Sequence, residues 1–144
     1  MTSPPSPAAM ATTHAAAFTQ SRPWTEAEFT ALLDSPLTFA VGDERCFALV
    51  RVIVDEAELL TIATHPDHQR QGLARAVMTS WRQLASQRGA ETAFLEVAAD
   101  NVAACDLYAT CGFSICGNRS GYYRRPNGPA VDAIVMRQAF SAAK

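Results

Sequence analysis

The segment Leu60-Thr-Ile-Ala-Thr-His-Pro-Asp-His-Gln-Arg-Gln-Gly-Leu-Ala-Arg75 begins as a buried strand, turns at Pro66 and enters a helix at Gly72 through a short loop. A strand that feeds a helix through a glycine-bearing loop leaves several backbone N–H groups unpaired and aimed at one point. Together with the positive end of the helix dipole they make a site for an anion, phosphate above all. Arg70 and Arg75 add fixed positive charge beside it. Glycine at 72 lets the backbone approach an anion closely and adopt a φ the turn requires. The spacing is not a Walker loop, because no Gly-Lys-Ser/Thr follows, and it is not Gly-x-Gly-x-x-Gly either. The segment points to a phosphorylated cofactor.

Outward from this segment, the helix opened by Gly72 should run to Gln87 with Leu73, Val77, Trp81 and Leu84 on one stripe, and Gly89 should stop it. Upstream, Leu37–Val41, Cys46–Val54 and Glu58–Thr64 read as strands. The links between them are short enough for hairpins, which makes the three antiparallel neighbours. Ala8–Phe18 is alanine-rich and helix-compatible, and Thr25 with Glu28 forms a capping box for a helix that carries Phe29, Leu32 and Leu33 inward and ends by Pro36. Downstream, Ala93–Ala98 is a strand, and Asp100 or Asn101 caps a helix over Val102–Cys111 that Gly112 terminates. Phe113–Cys116 and Asp132–Arg137 read as two last strands joined by a long polar loop, Gly117–Val131. A loop of that length inside a compact domain tends to be functional or mobile. The order, helices then a meander then β-α-β-α-β-β, gives a mixed α/β (α+β) sandwich built on one sheet.

At 144 residues the chain reads as one domain, residues 1–144, with 1–10 as a Pro/Ser/Thr-rich disordered tail. A hydrophobic fraction of 49% with 18% charged residues fits an ordinary soluble domain. The net charge of −2 argues against a direct nucleic-acid ligand. No stretch approaches the ~18 apolar residues of a membrane span, and the N-terminus lacks the build of a signal peptide. Cys46, Cys105, Cys111 and Cys116 form no C-x-x-C pair, and His14, His65 and His68 form no metal set, so no metal is expected. Reduced core cysteines imply a cytoplasmic compartment.

Gln69-x-x-Gly72-x-Ala74 after its strand resembles the Gln/Arg-x-x-Gly-x-Gly/Ala signature of the GNAT family of acyl-CoA-dependent N-acetyltransferases. The resemblance implies the GNAT fold, a central, mostly antiparallel sheet with a splayed parallel strand pair flanked by helices. It implies acetyl-CoA as co-substrate. Ile62, Ala63 and Thr64 would line the pantetheine, and Arg70, Gln71, Gly72, Leu73, Ala74 and Arg75 would cradle the phosphates. A second run, Leu95-Glu96-Val97-x-x-x-Asn101-x-Ala103-Ala104-x-x-Leu107-Tyr108-x-x-x-Gly112-Phe113, is similar to the RimI branch of the family, which acetylates protein N-termini. Arg22-Pro23-Trp24-Thr25, Tyr122-Tyr123, Asn127-Gly128 and Asp132-Ala-Ile-Val-Met136 extend the resemblance over about residues 18 to 137. It implies acetylation of the N-terminal alanine of a small-subunit ribosomal protein as partner. Ala98 and Asp100 depart from the Arg and Ser common in that branch at positions flanking the acceptor channel. The first strand usual in the family is not evident before Phe18.

The chemistry of the residues is compatible with this. An α-amine has an unperturbed pKa of about 7.7–8.0, so attack needs a base to take its proton, directly or through water. Glu96, mid-strand among Phe94, Leu95 and Val97, is the candidate, if partial desolvation raises its basicity; the alternative is a Glu bonded to backbone or to an Arg. Tyr108 is a candidate acid for the departing thiolate, or a core aromatic with a hydrogen-bonded tip. Asn101 contacts the pantetheine, caps its helix, or does both. Tyr122 and Tyr123 wall a peptide groove or lie in a solvated loop, and Trp24 encloses the acceptor or staples a helix. Cys105 shares a face with Tyr108, but no histidine accompanies it as a nucleophile would need. Two rival functions remain, a GNAT enzyme for a small-molecule amine or a lysine side chain, and a non-catalytic acyl-CoA-binding regulatory module.

Overall fold

The computed structural model describes residues 4–19 and 22–140. The elements in chain order are α1 (Pro7–Ala17), α2 (Glu26–Leu33), β1 (Thr38–Asp43), β2 (Cys46–Ile53), β3 (Glu56–Thr64), a 3₁₀ turn (Pro66–His68), α3 (Leu73–Gln87), β4 (Thr92–Ala98), α4 (Val102–Thr110), β5 (Ser114–Arg125) and β6 (Gly128–Ala139). They build a six-stranded sheet in the order β1-β2-β3-β4-β6-β5. Only β3 and β4 run parallel; the other neighbours are antiparallel. This is the mixed fold that the sequence implies. Among the described residues the first strand is β1, so the sheet begins after the two N-terminal helices.

Alternation along β2 explains its apolar run over Cys46–Val50. Cys46, Ala48, Val50 and Val52 join a core with Val77, Met78 and Trp81 of α3, whereas Phe47 and Leu49 join a second core with Met10 of α1 and Phe29 of α2. A strand covered on both faces has no polar side to show. Pro7–Met10 correct the reading of residues 1–10 as a tail. Ser6 caps α1 by accepting from Ala9 N–H at 3.2 Å, Pro7 occupies the first turn, and Met10 is fully buried. Proline before an alanine run favours this start because its missing N–H would lack a helical partner anyway. The capping box of α2 forms as its spacing requires, with Thr25 Oγ1 accepting from Glu28 N–H and Glu28 Oε1 accepting from Thr25 N–H.

The expected loop over Gly117–Val131 is also corrected. β5 and β6 form one long hairpin that turns at Pro126-Asn127, with Arg125 opposite Gly128. Its first strand is exposed on both faces and its register shifts three times, so no period-2 apolar pattern marks it. Between Arg119 and Tyr123 two more residues lie on β5 than on β6. Gly121, at φ +60, sits in this bulge, and Asp132 Oδ1 accepts its N–H at 2.9 Å.

Two polar groups, one half-buried and one buried, pin the halves of the sheet. Arg82 of α3 donates to Cys111 O at 2.7 Å, to Gln138 Oε1 at 3.2 Å and to Met78 O at 3.0 Å, which ties α3 to the end of α4 and to β6. His14 of α1 is 1% exposed and stacks on Phe18 at 3.9 Å. Its Nδ1 accepts from Trp24 N–H at 3.1 Å, so in the neutral ring Nε2 carries the proton, which it donates to Thr61 Oγ1 of β3 at 3.1 Å. Burial lowers the imidazole pKa from 6.5 to about 4, opposed by the charge of Glu28 and aided by that of Arg22. The unfolded chain therefore takes up a proton between pH 6.5 and about 4 that the folded chain refuses, and stability is expected to fall as pH drops through that window. Urea midpoints at pH 7 and pH 5 check this. His14→Gln should be less stable at pH 7 but decline less toward pH 5; an equal decline in both proteins refutes the assignment.

Candidate active site

The parallel pairing of β3 with β4 ends early. Glu56, Ala57 and Glu58 pair with Thr92, Ala93 and Phe94, and there the ladder stops. Beyond it Leu59–Thr64 continue to pair with β2, and Leu95–Ala98 with β6, so the two facing edges diverge with their inward backbone groups unpaired. A bulge lies at the point of divergence. Leu59 opposes Val50 and Thr61 opposes Leu49, which leaves Leu60 as the extra residue. An extra residue bends its strand and flips the side-chain parity beyond it. Accordingly Ala57 and Leu59 face the α3 core, while Thr61 reaches His14 and Ala63 joins the α1–α2 core. Ile62, Ala63 and Thr64, the expected pantetheine wall, line the β3 side of this gap.

At the open end of the gap sits the loop into α3. Arg70 and Gly72 both adopt left-handed backbone, φ 63 and φ 78. Gly72 caps α3 without a side-chain hydrogen bond, and the first helical bond is Ala76 N–H to Gly72 O at 3.1 Å. The N–H groups of Gly72, Leu73, Ala74 and Arg75 consequently have no acceptor among the described residues. Nothing lies within 4 Å of where a Cβ on Gly72 would stand. Four free amides, open space and exposed arginines at 70 and 75 fit a pyrophosphate, and the unpaired strand edges fit an amide-bearing arm.

The candidate catalytic residues emerge on different faces. Leu95 and Val97 point into the α3 core, and strict alternation sends Glu96 to the other face. Its side chain keeps 30% of its accessible surface there, and Arg119 Nε reaches Glu96 Oε2 at 3.3 Å. Of the expected neighbours, Leu95 and Val97 therefore lie on the opposite face, while Phe94 shares the face of Glu96. Tyr108 lies on the α3 face, 5% exposed, edge-on to Phe113 at 6.4 Å. Burial, followed by the neighbouring Cys105 and Tyr123, pushes its phenol well above the usual tyrosine range, which keeps it protonated. No protein group among the described residues accepts its hydroxyl proton. Tyr123 connects the two faces, since its own phenol is raised by burial and then by the charge of Glu96.

The remaining candidates divide. Asn101 caps α4 by accepting Ala104 N–H at 3.2 Å. Trp24 packs on His14 at 5.4 Å and on Phe29 at 5.5 Å, a core role for its ring. Tyr122 is 53% exposed and meets Tyr123 edge-on at 5.1 Å, on a strand rather than in a loop. Burial raises the Cys105 thiol pKa, the reverse of what a nucleophile needs. Among the described residues no group of histidine, cysteine and carboxylate side chains could hold a metal. The contact of Glu96 with Arg119 is the bond to an arginine that the sequence leaves open as the alternative for this residue; the Asp100–Arg125 pair has only the charge of Asp100, in place of the usual serine, as its signal.

A bulged strand that parts from its parallel neighbour, ending in free amides before a helix, defines a GNAT acetyltransferase site, and the chain belongs to that family: the Acetyltransferase (GNAT) family model matches residues 9–113. It is 40% identical over 119 residues to the [ribosomal protein bS18]-alanine N-acetyltransferase of Escherichia coli strain K12, covering 79% of each chain. It is 33% identical over 130 residues to the N-alpha-acetyltransferase RimI of Mycobacterium tuberculosis, covering 84% of this chain and 78% of that one. The crystal structure of the ribosomal-protein-S18-alanine N-acetyltransferase from Escherichia coli superimposes with a TM-score of 0.84 at 35% identity, over 94% of this chain and 88% of that one.

The geometry at Gly72 makes one immediate prediction. Gly72→Ala meets no neighbour, yet places a Cβ on left-handed backbone, so it should lower stability by about 1 kcal/mol. Urea denaturation reads this, and an unchanged midpoint would show that the loop adopts another conformation in solution.

Proposed function

We propose that this chain acetylates the N-terminal amine of a protein, with acetyl-CoA as donor, and that its acceptor is the N-terminal alanine of the small-subunit ribosomal protein bS18. The observation that carries the reading is the unpaired β3–β4 gap ending at four free amides. The similarity to relatives named for this reaction supports the acceptor. Acetyl-CoA supplies an activated thioester when bound. Ile62, Ala63 and Thr64 offer their backbone edge to the pantetheine, with Asn101 at the opposite rim. Arg70, Gln71, Gly72, Leu73, Ala74 and Arg75 hold the phosphates through main-chain donors and fixed charge.

Within that frame each residue has a chemical task. Backbone N–H groups of β3 polarise the thioester carbonyl as an oxyanion hole does. Glu96 accepts the proton of the acceptor amine, directly or through water. Arg119 occupies Oε2, which leaves Oε1 for the amine. Tyr108 donates to the departing sulfur, a task that needs a phenol that stays protonated. Tyr122 and Tyr123 wall the groove for the first residues of the acceptor, and Trp24 supports the far side through α2. The transfer is direct, without an acyl-enzyme. An acceptor of this kind places the protein in the cytoplasm, in contact with neither nucleic acid nor membrane; among the described residues no helix is long and apolar enough to cross one.

Thiol release is the decisive assay. Acetyl-CoA with a peptide beginning in alanine should yield free thiol, while small amines and lysine side chains should not. Saturable coenzyme binding without release would instead mark a regulatory module. Glu96→Gln and Tyr108→Phe should each lower kcat by roughly 10²–10⁴-fold while calorimetry shows unchanged affinity for coenzyme A. Undiminished turnover in both variants removes the catalytic assignment.

A further inference from the structure

The outer wall of the acceptor side is an arc of contacts that leaves β4 at Glu96 and returns just past the end of that strand, at Asp100. It runs from Glu96 to Arg119 at 3.3 Å, then to Tyr122, whose ring centroid lies 5.2 Å from the Arg119 guanidinium carbon. Tyr122 meets Tyr123 at 5.1 Å, and Arg125 stands 5.7 Å from the Tyr123 ring. Arg125 closes the arc on Asp100, donating from Nε to Oδ2 at 2.9 Å and from Nη2 to Oδ1 at 2.8 Å.

The closing contact differs in kind from the other ion pairs. The Arg125 side chain retains 9% of its accessible surface, against 67% for Arg22 in the Arg22–Glu28 pair. A two-pronged pair with a covered guanidinium fixes both distance and plane, where an exposed pair contributes little. The strand it fastens needs such a fixture. β5 is the edge of the sheet, its register breaks on both sides of Tyr123, and its ladder places only Tyr123 and Arg125 near the turn. Asp132 secures the bulge from within by accepting from Gly121 N–H and Asn118 Nδ2. That leaves the tyrosine pair to be positioned from Arg125.

We propose that Asp100 and Arg125 are a positioning pair for acceptor binding, which sets the Tyr122–Tyr123 wall beside Glu96 before the peptide arrives. The proposal rests on the N-terminal acetyltransferase reading above. Neither residue touches the reacting atoms; both act through the ring of Tyr123. The burial of that ring and its sensitivity to the charge of Glu96 agree with this placement.

Asp100→Asn, Arg125→Gln and the double variant test it in the full chain. Each single change should raise KM for an alanine-starting peptide roughly tenfold, with kcat within about twofold and unchanged affinity for coenzyme A. The double variant should be no worse than the worse single, because the two side chains act as a unit. Amide exchange over residues 121–123 should accelerate in each variant, a readout that needs no turnover. Unmoved KM in both singles, additive losses in the double, or unchanged exchange would each overturn the proposal. A parent protein that releases no thiol with any peptide would instead sink the acetyltransferase reading, and exchange alone would then report whether the pair holds the hairpin.

Discussion

After Glu58 and Phe94 the third and fourth strands cease to share hydrogen bonds, and every feature of the site follows from that separation. Sheets lose free energy when backbone groups go unpaired away from water, so a gap inside a sheet persists only when something forces it and something fills it. The extra residue at Leu60 supplies the force, by bending β3 one step after the last parallel pair. In the function proposed above, an extended chain rich in amides, running along these edges and ending in phosphates at α3, satisfies the groups left open. The same bulge that opens the gap also turns Thr61 toward α1, so opening and anchoring are a single geometric event.

The walls of the gap are held by unlike means. On the β3 side, a neutral histidine sealed among aromatic rings bridges α1, the approach to α2, and Thr61. On the β4 side, Arg82 is bonded to carbonyl and amide oxygens, and Gln138 shares the Cys111 carbonyl with it at 2.8 Å. Both anchors are polar groups in apolar surroundings, costly to leave unpartnered and therefore specific in where they place their elements.

Most of this frame was legible in the sequence because it depends on local chemistry. The capping box at Thr25 and Glu28, the glycine at 72 and the cap at Asn101 each fix an element end through one or two side chains. The apolar stripe of α3 and the apolar run of β2 over Cys46–Val50 gave period and burial directly. What stayed hidden was non-local or lacked periodicity. The edge strand β5 is polar on both faces and bulged, so only its Asn127-Gly128 turn offered a cue. For Glu96 the choice of arginine lay beyond the sequence, because Arg119 is brought beside it only by the pairing of β6 with both β4 and β5. Met10 looked like part of a tail because the partners that bury it, Phe29 and Phe47, lie far along the chain.

The arginine-studded outer strand has a bearing on how such a protein evolves new acceptors. An unpaired ribbon at the margin of a sheet invites the same ribbon of another molecule, and the charged, bulged run of β5, with Arg124 open to water, discourages that stacking. The strand proposed to wall the acceptor groove is therefore also a strand whose charges oppose edge-to-edge pairing. A lineage that traded those charges for greasy side chains to please an apolar acceptor would gain grip and lose solubility in the same step. A change of acceptor written on this strand has therefore to keep charge at its margin, as the pairing of aspartate at 100 with arginine at 125 does.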